Sequence, residues 1–507
     1  MPPAAARPSV VVVLTDQQRW DTTGAHGNPA GVTPEFDRLA REGTLVEQAV
    51  TPNPVCAPAR AALQTGRYPT ATGVFRNGLP LGAELPTLAG TFAEAGYVTG
   101  YIGKWHLSGE DNPDGPVPPG RRGGYEHWLA SDRLEFTSDA YRTVVYDEEG
   151  EPVRLPGYRS DALIDAAIRF VADHHERPFL LFLSLLEPHH QNATDSYPAP
   201  VGYRERYEGR WLPPDLAALS PGAAQGGAHR HLGGYLGQIR RVDEGVGRLR
   251  DALRGLGIED DTLIAWTADH GSHFRTRNGE YKRSAHEASV RVPFALTGPG
   301  FRGGGVIRHP VSTVDLMPTL LDAAGLKVPE GVQGRSLRPL VGGGSDPERP
   351  YSVFVQISED VIGRAVRTER WKYVVTAPPG PDPWWHPDAD RYRESELYDL
   401  AADPYELENL AGLTSHRRVA DGLRDSLAAW LREVEGADPV IEAAAPRTLD
   451  QRSPDSFPHD RLPWEGVRFG HAPRRPATRP GRPGEPEGSG RSGGPGRKGG
   501  QEPDGTA

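Results

Sequence analysis

Ser9-Val10-Val11-Val12-Val13-Leu14-Thr15-Asp16-Gln17 carries a run of β-branched and apolar side chains from Ser9 to Leu14, closed by a carboxylate and a carboxamide. A strand with one solvated face alternates polar and apolar residues. An unbroken run instead suits a strand covered on both faces, as in a parallel sheet between helices. The layout recurs twice. Phe179 to Leu186 stops at Glu187-Pro188-His189-His190, and Thr262 to Thr267 stops at Ala268-Asp269-His270-Gly271. Three strands thus deliver Asp16, His189 and Asp269 at their carboxyl ends, where open α/β sheets place ligand sites.

Helical patterns alternate with these strands. Thr33-Pro34-Glu35 reads as an N-cap and a first-turn proline, with Phe36, Leu39 and Ala40 as the apolar face. Helices are predicted over Leu85 to Ala95, Asp161 to His174, Tyr235 to Leu256 and Val314 to Ala324, and further strands over Val98 to Ile102 and Val292 to Thr297. Two stretches rich in Gly, Pro and charge, Asn112 to Gly157 and Tyr197 to Ala228, read as irregular. A boundary is expected near Gly342 to Pro347. Beyond it come short strands over Tyr351 to Ile357, Gly363 to Thr368 and Trp371 to Thr376, then a helix over His416 to Glu435. The expected organisation is a mostly parallel α/β part over residues 1–345, a smaller C-terminal α+β subdomain over 346–442, and a tail over 443–507. The tail has too little apolar surface to offset its ordering entropy and is expected to be disordered.

The chain's 507 residues are enough to bury a large core. No apolar run reaches the length of a membrane span. The first eighteen residues end their apolar run in Asp16 without a small-residue cleavage site, so they read as a first strand and not as a signal peptide. A net charge of −11 argues against nucleic acid as the main partner. One cysteine excludes an intrachain disulfide framework and suits a reducing compartment, so the cytoplasm is the expected location.

That cysteine lies in Pro54-Val55-Cys56-Ala57-Pro58-Ala59-Arg60-Ala61-Ala62-Leu63-Gln64-Thr65-Gly66-Arg67. Lone cysteines are mostly small buried hydrophobes. Here a helix-forming run follows Pro58 and Arg60, which puts Cys56 where a loop becomes a helix N-terminus and unpaired N–H groups favour an anion.

Cys-x-Pro-x-Arg followed by Thr-Gly-Arg resembles the signature of the type I sulfatases, and matching segments recur in order from Thr15 to about Leu410. The resemblance implies an alkaline-phosphatase-like α/β fold and oxidation of Cys56 to formylglycine by a formylglycine-generating enzyme. It also implies one divalent cation and a small aryl, alkyl or sugar sulfate as substrate. One hydroxyl of the hydrated aldehyde would attack sulfur, and loss of a proton from the second would expel sulfate.

The same resemblance implies Asp16, Gln17, Cys56, Asp269 and His270 as metal ligands. Gln17 stands where many sulfatases have Asp, and His270 where many have Asn. Two carboxylates and an imidazole make a softer site than the usual one, so Mn²⁺ competes with Ca²⁺. The Asp-Gln and Asp-His pairs also resemble those of phosphonate monoester hydrolases, which makes phosphonate or phosphodiester hydrolysis the alternative reaction. Arg60 and Lys104 would offset negative charge, and His106 would take a proton from the sulfated intermediate. His189 and Lys282 would assist the departing alcohol, with His190 and Arg283 as their neighbouring alternatives. In an extended segment Lys104 and His106 share one face, whereas the adjacent His189 and His190 point apart. His273, His286 and Arg76-Asn77 are further candidates for the substrate side of the pocket. A non-catalytic binding protein on this fold would be marked by loss of Cys56, Arg60 or a ligand carboxylate, and all are present.

Overall fold

The computed structural model describes residues 7–111, 114–219, 227–303 and 305–447. The expected tail over 443–507 lies outside them from residue 448 onward. Its first residues are ordered: Arg447 pairs with Leu413 in a parallel bridge and bonds the Ala411 carbonyl.

Ten strands form the central sheet, in the order Val306–Ile307, Thr44–Val46, Phe294–Thr297, Thr262–Ala268, Ser9–Thr15, Phe179–Ser184, Val98–Lys104, His127–Ser131, Thr143–Tyr146 and Pro152–Leu155. The five from Thr262–Ala268 to His127–Ser131 are mutually parallel. Ser9–Thr15 lies in the middle, and its side chains alternate between two cores. Val10, Val12 and Leu14 face Ala57 and Ala61 of the helix Cys56–Thr65 and Leu316 and Leu320 of the helix Leu316–Ala323. Val11 and Val13 belong to the opposite core, with residues of the helices Arg159–His174 and Ala228–Gly255. Both faces are dry, which is why the run shows no polar alternation.

The structure departs from the expected elements in four places. Asn112 to Gly157 is not wholly irregular, because three of its segments extend the sheet edge: His127–Ser131, Thr143–Tyr146 and Pro152–Leu155. They are short and separated by turns, so their period is brief. Tyr197 to Ala228 contains the short helices Tyr203–Tyr207 and Pro214–Leu219. The long helix begins at Ala228, through Gly233 and Gly234, which weaken a helical pattern. A side chain at Gly234 would sit 2.4 Å from the Tyr197 carbonyl, so glycine there lets the preceding loop lie against the helix. Finally, Pro293 splits the strand expected over Val292 to Thr297. Arg291–Val292 joins a three-stranded sheet with Ala49–Val50 and Val311–Ser312, while Phe294–Thr297 runs antiparallel to Thr262–Ala268.

A separate C-terminal sheet carries Ser352–Ile357, Gly363–Thr368, Trp371–Thr376 and Arg391–Asp399 as an antiparallel meander, with Val440–Glu442 parallel to the last. The helix Arg417–Trp430 covers one face through Ala420, Leu423 and Leu427, and that core also takes in Ala62 of the helix Cys56–Thr65 and Tyr68 just after it. Lys372 ties the sheet to the rest of the chain, with its ammonium 2.8 Å from Glu287 and 2.7 Å from Glu406, all three buried. No helix among the described residues is long and apolar enough to cross a membrane.

Candidate active site

The carboxyl edge of the parallel strands collects the polar residues. Asp16 and Asp269 follow directly on Ser9–Thr15 and Thr262–Ala268, and the Asp269 N–H donates to the Thr15 carbonyl (3.1 Å), so adjacent strand ends bring the two carboxylates together. Lys104 is the last residue of Val98–Lys104. Cys56 is the first residue of Cys56–Thr65, and the N–H of Ala57 finds its acceptor in the Asn77 side chain at 3.0 Å.

Around Cys56 the distances are short. Its Sγ lies 2.9 Å from Lys282 Nζ, 3.3 Å from His270 Nε2, 3.8 Å from Lys104 Nζ and 3.9 Å from Asp16 Oδ1. Asp16 Oδ2 meets Lys104 Nζ at 2.7 Å and Arg60 Nη2 at 3.0 Å. Arg60 stands one helical turn beyond Cys56 and spends its remaining donors inward, Nε on Asp269 Oδ2 (3.1 Å) and Nη1 on the Lys104 carbonyl and Ser184 Oγ (2.8 Å each). It fixes the carboxylates to the strand ends. Arg283, the alternative to Lys282, turns away to Glu359 at 2.6 Å.

Charge inside this pocket overrides burial. Burial pushes the Asp16 carboxyl up, but Lys104, His189, Arg60 and Lys282 outweigh it and hold the group well below the usual carboxylate range. For the Cys56 thiol, burial and Asp16 push upward, and Lys104, Lys282 and His270 bring it well below its ordinary value. Position 56 is therefore a place built for negative charge. Burial lowers His189 well below the usual imidazole range, helped by His190 and the two lysines against the pull of Asp16.

Ligand atoms of Asp16, Cys56, Asp269 and His270 all lie within 4.8 Å of one another, all buried. Gln17 adjoins them. Its N–H donates to Asp269 Oδ1 (3.1 Å), its Nε2 reaches Ser272 Oγ (3.5 Å), and its Oε1 is buried with no partner among the described residues. An orphaned buried carbonyl beside two carboxylates and an imidazole fits a divalent cation.

Three expectations change. The segment after Lys104 is not extended, because His106 has φ +63°. Lys104 points to Asp16 and to Glu135 (2.9 Å), while His106 Nδ1 is buried without a partner among the described residues. His189 and His190 do not diverge: the strand has ended at Ser184, and the two rings stack with centroids 4.4 Å apart, His190 packing in turn on Tyr281. His273 and His286 act as supports. His273 Nε2 bonds the Lys282 carbonyl (2.9 Å), and His286 Nε2 meets Tyr398 Oη (3.2 Å).

Glu135 and Glu359 were not visible in the sequence. Burial pushes the Glu135 carboxyl up, yet Lys104, His106 and His189 bring it down to about 2. It lies in the stretch read as irregular, with no motif around it. Glu359 comes from the C-terminal sheet region and joins Asn77 N (2.8 Å) to Arg283 Nε (2.6 Å), bracing the segments that carry Cys56 and Lys282.

With this geometry in place, comparison with known proteins is decisive for the family. The sulfatase family profile matches residues 8–326, more than half of the chain, and that of the N-sulphoglucosamine sulphohydrolase C-terminal region matches residues 279–433. An ulvan-active sulfatase of Formosa agariphila is 31% identical over 445 residues, covering 84% of this chain and 82% of its own. Among solved structures, one bound to its substrate D-glucosamine-2-N,6-O-disulfate aligns with a TM-score of 0.69 and 23% identity, over 85% of this chain and 99% of that one. A phosphonate monoester hydrolase from Silicibacter pomeroyi aligns with a TM-score of 0.67 and 22% identity, over 84% and 96%. The chain belongs to the sulfatase family and is a sulfuric ester hydrolase on the alkaline-phosphatase-like α/β fold.

Proposed function

We propose that the chain hydrolyses sulfate esters of saccharides at position 56, after a formylglycine-generating enzyme has oxidised Cys56, and with one divalent cation held by Asp16, Gln17, Asp269, His270 and the residue at position 56. Ca²⁺ is the first candidate and Mn²⁺ the second, the imidazole favouring the softer ion. The observation that carries the reading is the placement of Cys56 Sγ against Lys282, His270, Lys104 and Asp16 in a buried pocket. The sugar preference draws on the relatives, one ulvan-active and one bound to a glucosamine disulfate.

When present, the cation supplies Lewis acidity toward the ester's anionic oxygens, and the hydrated formylglycine supplies the nucleophile. The chain's own residues do the rest. Lys104 and Lys282 flank position 56 and hold the ester's charged oxygens where charge develops. Arg60 keeps Asp16 and Asp269 in place, and Asp16, with Oδ1 3.9 Å from Cys56 Sγ, serves as the base. His189 Nδ1 donates to the His190 carbonyl (2.7 Å), since a carbonyl only accepts, which leaves Nε2 to face the departing oxygen. An entering anion raises the imidazole's affinity for a proton, and His189 passes that proton to the leaving alcohol. His106, whose Nδ1 has no partner among the described residues, is the acceptor for the proton lost when sulfate departs.

Phosphonate monoester hydrolysis is the second reading, favoured by Gln17 and His270. A chain with one cysteine needs no oxidising compartment, which supports a cytoplasmic location. The test is sulfate release from a sulfated monosaccharide by protein whose Cys56 peptide mass shows conversion to formylglycine. Release that disappears in Cys56→Ala supports the reading, and release that persists in that variant rejects it.

A further inference from the structure

Between the strands Trp371–Thr376 and Arg391–Asp399, the loop carrying Asp382-Pro383-Trp384-Trp385-His386 leaves the C-terminal sheet and meets Arg76. The Arg76 guanidinium carbon lies 4.7 Å from the ring centroid of Trp384 and 5.0 Å from that of Trp385. Arg76 is 5% exposed, whereas Trp385 keeps 63% of its surface open. Arg76 Nη1 donates to the Asn77 carbonyl (2.8 Å) and to Glu110 (3.2 Å), a carboxylate whose side chain is 62% exposed. Its Nε is buried without a partner among the described residues.

This cluster is linked to the reaction site through Asn77. Asn77, the next residue, accepts the N–H of Ala57 through its side chain, and Ala57 adjoins Cys56. The open Trp385 indole beside Arg76 offers a contact surface of the two residue types, Trp and Arg, that are enriched where binding energy concentrates. A buried guanidinium with an unspent N–H adds a demand for an acceptor, best met by an anion. A cationic alcohol is disfavoured, because Arg76 already lies against both indoles. A pyranose offers a face of C–H groups to a ring and carries anionic substituents at its edge.

We propose that Arg76, Trp384 and Trp385 form the recognition subsite for the sugar part of the substrate. The pyranose stacks on Trp385, and a second anionic substituent, carboxylate or sulfate, displaces Glu110 from Arg76. This rests on the sulfate-ester reading above and adds to it that the preferred substrate is a saccharide with two anionic groups.

The test uses calorimetric binding of glucosamine 6-sulfate and of glucosamine-2-N,6-O-disulfate to the full chain carrying Cys56→Ala, which binds without turnover. The subsite predicts tighter binding of the disulfate. It predicts loss of that preference when Arg76→Gln is added, and at least about tenfold weaker binding of both sugars when Trp385→Ala is added. Thermal melting of each variant verifies the fold, and Trp385→Asp is a second exposed change expected to weaken the disulfate further. Equal affinity for the two sugars in the parent, or affinities unmoved by either change, overturns the subsite. Absence of sulfate release by the converted enzyme, with these binding shifts intact, rejects the reaction and leaves the subsite standing.

Discussion

Lys282 Nζ lies 2.9 Å from Cys56 Sγ and 2.9 Å from His270 Nε2, although 226 residues separate the lysine from the cysteine. With Lys104 Nζ at 3.8 Å, two ammonium groups face one buried atom. Charge that develops at position 56 meets donors already in place. Lys282→Met is therefore expected to lower kcat toward an aryl sulfate by about a hundred- to a thousandfold while the protein still folds. The check is steady-state kinetics on converted protein together with thermal melting. A loss below about tenfold would remove Lys282 from the machinery.

Arg60 is the cation shared by Asp16 and Asp269, at 3.0 Å from an oxygen of each, and all three side chains are buried. Arg60→Ala leaves two carboxylates under-compensated, a defect of about 3–5 kcal/mol. Thermal unfolding should begin several degrees lower, and activity should be lost. Arg60→Ala with an unchanged melting temperature would show that the carboxylates are neutralised by other groups.

Removal of the divalent cation by a chelator should abolish sulfate release and lower the melting temperature. Added Ca²⁺ or Mn²⁺ should restore both, with about 2.7 kcal/mol of stabilisation at a hundredfold excess over Kd. Gln17→Ala should raise the cation concentration needed for restoration, because the unpartnered Oε1 is gone. Restoration at the same concentration as the parent would exclude Gln17 as a ligand.

Asp243, inside the helix Ala228–Gly255, caps the helix Pro34–Glu42 by accepting the N–H groups of Glu35 (3.1 Å) and Phe36 (2.9 Å). Burial pushes its carboxyl up to about 7 against these two donors and Arg240, with Glu35 adding to the push. In the unfolded chain it titrates near 3.9. The folded state thus favours the protonated form. Its contribution is fully present below about pH 4 and is lost as pH rises to about 7, a fall of at most about 4 kcal/mol. Melting curves across that range should fall more steeply for the parent than for Asp243→Asn. Parallel curves would contradict the assignment.

The sequence showed the middle of the sheet because Ser9–Thr15, Phe179–Ser184 and Thr262–Ala268 are buried on both faces, and a dry strand has an unbroken apolar run. It showed Asp16 and Asp269 because each stands at the end of such a strand, and Cys56, Arg60 and Lys104 because each lies in a short contiguous motif, Cys-x-Pro-x-Arg and Gly-Lys-Trp-His. It hid the edge strands between His127 and Leu155, which are short and interrupted by turns. Glu135 and Glu359 were hidden for another reason: each acts across the fold, on Lys104 and on Asn77 with Arg283, and no local pattern marks such a contact. The stacking of His189 on His190 escaped because alternation of side chains holds only within a strand.

The most direct test of sulfate ester hydrolysis at position 56 is the ratio of kcat/KM for an aryl sulfate to that for the matching aryl phosphonate monoester, on protein whose Cys56 peptide mass shows formylglycine. The ratio is expected to favour sulfate strongly. A ratio favouring the phosphonate would contradict it and assign the pocket of Cys56, Lys104, His189 and Lys282 to phosphonate esters instead.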